Sequence, residues 1–140
     1  MEEEQFNLLL DFHLALIRKA PSQVTQDNAK LVLVNDSDLP NADRDERFKG
    51  KKLAGNLLAR KDDLTSFHGT DWDGKVKVYN RIYTVNPSGA VFDALKFVLY
   101  NDNKIGTAAR ECGVNFQSVK VLKPRFELFI DTSTKLSAML

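Results

Sequence analysis

The chain has 140 residues, 43% apolar and 28% charged, with seven Gly and four Pro, which suits a domain-sized core and excludes collagen-like and low-complexity classes. A single cysteine, Cys112, excludes an internal disulfide and a Cys-rich zinc centre; no apolar run reaches membrane-spanning length, and the acidic opening Glu2-Glu3-Glu4 is unlike a secretory leader, so a cytoplasmic globular protein is expected. The net charge of +1 divides unevenly: residues 1–73 carry ten basic against fourteen acidic side chains (net −4) and residues 74–140 ten against five (net +5), so an acidic packing part and a basic part facing an anion are expected.

Residues 4–19 read as a helix, with acidic residues first, Arg18-Lys19 last and Pro21 as its stop. Between Phe6 and Ile17 only Asn7, Asp11 and His13 are not apolar, so this helix needs cover on two sides, which favours a homodimer. His13 reads as a polar flank, not as a ligand. Residues 30–34 (Lys-Leu-Val-Leu-Val) read as a short strand closed by the turn formers at 35–38. Residues 39–52, rich in charge, read as a solvated loop or short exposed helix. Residues 53–61 read as a helix with Leu53, Leu57 and Leu58 on one side, weakened by Gly55.

His68, Asp71 and Asp73 fall within six positions, a set able to bind a divalent metal or supply acid/base groups. The surrounding Gly and Thr make a hairpin entry the simpler expectation, with Trp72 as a core or hinge anchor and no metal or cofactor. Residues 75–85, with Val76, Val78, Ile82, Tyr83 and Val85 around Asn80-Arg81, read as a β-hairpin or bulged strand. Ser88 is a natural cap for a helix carrying Val91, Ala94, Leu95, Val98 and Leu99 at helical spacing, ending at Asn101-Asp102-Asn103.

Residues 105–123 have the spacing of two helices joined by a tight turn. Ala109 stands four residues before Gly113, where two helices approach closely, and Gly113 stands where a positive φ is wanted. Val114 plugs the angle, and Asn115 caps the second helix. Val119 and Leu122 turn inward towards Ala108 and Cys112, leaving Phe116, Gln117, Lys120, Val121 and Lys123 outward. Pro124 limits that second helix to about two turns and starts a further one through Ile130, in which Phe126, Leu128, Phe129 and Ile130 pack. The outward set suits a DNA major groove: Gln117 can make a two-point contact with adenine, Lys120 can reach guanine acceptors, and Phe116 or Val121 can touch a thymine methyl. Lys104, Arg110 and Arg125 would lie near phosphates, and residues 104–125 carry five basic side chains against Glu111 alone.

Over about residues 94–126 the pattern resembles two groups of small regulators, the TrfB-type plasmid repressors and the PapB-type fimbrial regulators. The residues that carry the resemblance are Val98-Leu99, the polar 101–103 turn, Ala108-Ala109, Gly113-Val114 and Val119. The resemblance implies sequence-specific binding of double-stranded DNA, usually by a dimer. Lys104 departs from it, standing where Ser or Thr is usual.

These readings predict an α+β fold, mainly helical with a short β-hairpin and a C-terminal helix-turn-helix. Residues 1–73 form an acidic packing and dimerisation part, and residues 74–140 a basic part, together one compact unit. The expected function is a non-enzymatic transcriptional regulator, most simply a repressor of phage, plasmid or other bacterial origin, with Asn115, Phe116, Gln117, Lys120, Val121, Lys123, Lys104, Arg110 and Arg125 at the DNA. The alternative is an inhibitor or assembly factor that binds a host protein through its acidic half. No Walker loop, dinucleotide fingerprint, G-x-S-x-G or H-E-x-x-H occurs.

Overall fold

The computed structural model describes residues 1–67 and 70–140. Among the described residues there are seven α-helices and no strand: α1 (Glu3–Leu16), α2 (Gln23–Leu33), α3 (Arg44–Ser66), α4 (Trp72–Ile82), α5 (Gly89–Tyr100), α6 (Ile105–Glu111) and α7 (Phe116–Ala138). The chain divides into two compact units, Met1–Ser66 with Thr132–Leu140, and Phe67–Asp131.

In the first unit α1 buries Phe6, Leu9 and Phe12, while Leu8, Leu10, Leu14 and Leu16 on its flanks are half-buried. α2 starts on Ser22, whose Oγ accepts the Thr25 backbone N–H at 3.2 Å. α3 starts on Asp43, whose Oδ1 accepts the Glu46 N–H at 2.8 Å. α2 and α3 come together at Gly50: a β-carbon there would lie 2.6 Å from the Asn28 β-carbon, so only glycine admits this approach. Leu53, Ala54, Leu57 and Leu64 of α3 complete the core. The C-terminal stretch is tied in by the Ser133 hydroxyl, which donates to the Leu64 carbonyl at 2.6 Å, and by Gln5 Nε2, which donates to the Met139 carbonyl at 3.3 Å.

The second unit is built on aromatic rings. Tyr79 of α4 lies edge-on to Phe92 and Phe129, with centroids 5.5 and 5.7 Å away, and 5.6 Å from Phe126. Trp72 packs 4.9 Å from Phe126, and Phe67 stacks 4.5 Å from Phe129. Burial pushes the Tyr79 phenol up to about 12, against an opposing pull from the Arg125 charge.

The expected α+β class is therefore corrected to all-α. The 75–85 hairpin is instead α4: Asp71 Oδ1 accepts the Gly74 N–H at 2.9 Å, and Trp72, Val78, Tyr79 and Ile82 are buried. Its valines, isoleucine and tyrosine favour strands in general, but packing among distant aromatic partners decides the local state. The expected strand at 30–34 is likewise the end of α2, which the cap at Ser22 and the buried face Thr25, Asn28 and Ala29 hold in helical form. The charged stretch at 39–52 enters α3 from Arg44, so the 53–61 helix is the middle of a 23-residue one. The first helix ends at Leu16 and not at residue 19, because Ile17 is extended.

The helix expected to stop at Lys123 is also corrected, since α7 runs through Pro124 to Ala138. Pro124 removes the N–H that the Lys120 carbonyl would accept, but both residues are exposed, on the solvent side of the helix, where such a loss is best tolerated. Buried Val119, Leu122, Phe126 and Phe129 hold the helix on either side of it. Leu128, expected to pack, is exposed instead.

Candidate nucleic-acid interface

α6 ends in a turn set by the backbone of three residues. Gly113 has φ +68°, its N–H donates to the Arg110 carbonyl at 3.2 Å, and the Val114 N–H reaches back to the Ala109 carbonyl at 2.9 Å. This is a Schellman closure, which satisfies two helix-end carbonyls and needs a left-handed residue at its centre. α7 then begins on Asn115, whose Oδ1 accepts the Gln117 N–H at 2.7 Å. The turn thus closes one helix and opens the next within four residues. Ala108, Ala109, Val119 and Leu122 are buried, as close helix packing requires. Cys112 is half-buried and lies by Phe97 and Tyr100 of α5. Lys104, at the start of α6, makes no side-chain cap.

At 3.6 residues per turn, Gln117, Lys120, Val121 and Pro124 share the α7 face opposite Val119, Leu122 and Phe126. All four are exposed, Val121 at 48%, and Phe116 at the helix start is 44% exposed. The Lys120 ammonium lies 5.9 Å from the centre of the Phe116 ring, a cation–π contact that aims the lysine towards the start of the helix.

The flanking cations fall into two groups. On one side Lys104, Arg110 and Lys123 line a shallow groove with Phe116, Thr107 and Asn103. On the other, Arg125 shares a groove with Gln117, Val121, Asn86 and Ser88. Lys123 is also bound to Glu127 one turn on, at 2.6 Å, which neutralises part of its charge. The nine residues singled out from sequence thus lie on the α6–turn–α7 unit and its immediate flanks. Ser118, Asn86 and Ser88 join them and were not anticipated. Ser118 had no apolar or charged signal, and residues 86–88 read in sequence only as the link from a hairpin at 75–85 to a helix capped by Ser88.

The set His68, Asp71 and Asp73 is only partly visible: His68 lies outside the described residues. Asp71 is committed to capping α4, and Asp73 is exposed in that helix's first turn. Among the described residues no helix is long and apolar enough to cross a membrane. Comparison with known protein families, curated proteins and solved structures finds no match to this chain.

Proposed function

We propose that this protein binds double-stranded DNA sequence-specifically, with the first two turns of α7 in the major groove, and acts as a cytoplasmic transcriptional repressor. One observation carries the reading: the α6 closure at Gly113 and the Asn115 cap leave Gln117, Lys120 and Val121 outward on a helix start, with cations on both flanks. Helix starts that project in this way can present side chains to base edges while neighbouring cations hold phosphates. The residue pattern over 94–126 that resembles TrfB-type and PapB-type regulators supports the same reading. A twofold dimer would require an inverted-repeat site.

A salt titration of duplex binding tests it. Affinity should fall steeply with salt, each neutralised phosphate contributing about 0.9 to the logarithmic slope. Gln117→Ala and Lys120→Ala should each cost about 1–3 kcal/mol on a preferred site and flatten preference between sites. Binding that survives both changes would remove α7 from the interface.

A second reading is favoured by exposed apolar side chains in the first unit. Val24 and Leu31 share one face of α2, and Phe48 and Leu58 are exposed on α3. In that reading the unit docks on a second copy or on a host protein. Absence of duplex binding even at low salt would favour it.

A further inference from the structure

The first unit contains a basic pocket that the DNA reading leaves unused. It lies between α1, the start of α2 and the middle of α3. Lys49, Lys52 and Asn56 follow one face of α3, and Lys19 arrives from the α1–α2 loop. Ser22 and Thr25 bring two hydroxyls at the α2 N-terminus, 3.0 Å apart, so one hydroxyl proton is not used between them. The α2 start adds its own partial positive charge.

His13 gives the pocket a reporter. His13 of α1 lines the pocket and is only 6% exposed, and among the described residues its buried Nδ1 has no hydrogen-bond partner. That nitrogen is closed to solvent, so a ligand in the pocket does not bond to it, but the ring borders the pocket and its signal responds to charge held there. Among the described residues Lys19 and Lys52 have no carboxylate within salt-bridge distance. Lys49 has one, Asp45 at 3.1 Å, on an exposed edge where an incoming anion can compete. Among the described residues no carboxylate lines the pocket.

We propose that this pocket binds the phosphate dianion of inorganic phosphate or of a small phosphate monoester. Three ammonium groups, a hydroxyl and an amide exceed what a carboxylate with two oxygens can occupy, and match the several acceptor oxygens of a tetrahedral dianion. The site is in the first unit and is tested without DNA, so it stands or falls apart from the α7 interface.

The test follows the His13 imidazole signal of the full chain by NMR, assigned with a His68→Asn variant, during titration with inorganic phosphate and, separately, glycerol phosphate. Ionic strength is held constant with sodium chloride. A saturable His13 shift at millimolar probe is expected, and the tighter of the two probes identifies the source of the phosphate. Lys19→Met with Lys52→Met, both at exposed positions, should raise the midpoint by about tenfold or more. Lys51→Met, next in sequence but outside the pocket, should leave it unchanged. No saturable shift with either probe, or equal weakening by Lys51→Met, would overturn the proposal.

Discussion

A β-carbon at Gly113 would meet no atom within 4 Å, yet the position still demands glycine, because its φ of +68° lies in the left-handed region. The cost of substitution is therefore conformational and not steric. Gly113→Ala should lose about 1–2 kcal/mol in urea unfolding, and Gly113→Asn less, since asparagine tolerates that region better. Equal losses for the two would mean that the turn is not held by its φ. His13 makes a different prediction. Burial, reinforced by the Arg60 charge, holds its imidazole below the ordinary 6.5. The unfolded chain then takes up the proton first, so this contribution to stability is fully present above about pH 6.5 and declines as pH falls towards the lower native value. Unfolding free energies measured from pH 8 to 5 should show a decline that His13→Gln reduces. Identical pH profiles for the two proteins would remove His13 as its source.

At the scale of elements, α3 shows how one residue type takes opposite signs in one helix. Gly50 faces Asn28 of α2 at a separation no β-carbon fits, whereas Gly55 is exposed with nothing within 4 Å. Gly50→Ala should lower the melting temperature, because overpacking costs about 1–3 kcal/mol and outweighs the gain in helix propensity. Gly55→Ala should raise it, by up to about 1 kcal/mol of stability. The same contrast between local and distant causes governs what sequence reveals here. The turn at 112–115 was legible because glycine at the closure and asparagine at the cap act within a few residues. α4 was not, because Val76, Val78 and Ile82 carry strand preference, while the rings that fix Tyr79 lie on α5 and α7. Even so, Asp71 before Trp72 and the spacing Trp72, Tyr79, Ile82 hold a helical signal that begins upstream of the strand-like run at 75–85. Pro124 misled in the opposite direction: a local helix breaker was outweighed by Val119, Leu122, Phe126 and Phe129 on one continuous face.

On the scale of the whole chain, the charge asymmetry depends on where it is cut. Divided at residue 73, the two parts carry −4 and +5. Divided as the fold divides, Met1–Ser66 with Thr132–Leu140 carries eleven basic and twelve acidic residues, and Phe67–Asp131 nine and seven. The electrostatic case for DNA therefore rests on the local excess at 104–125 and not on opposed halves, and Glu127 trims even that through Lys123. If the protein binds DNA as proposed, a modest field of this kind would give weak non-specific attraction and leave selectivity to the α7 face. Sequence discrimination is accordingly the property on which the proposed function turns, and selection of binding sites from a random duplex pool tests it most directly. The intact protein should enrich one motif with twofold symmetry, and the Gln117→Ala/Lys120→Ala protein should lose that enrichment while remaining folded. Failure of the intact protein to enrich any motif, or enrichment of the same motif by both proteins, would contradict the assignment of α7 as the reading helix.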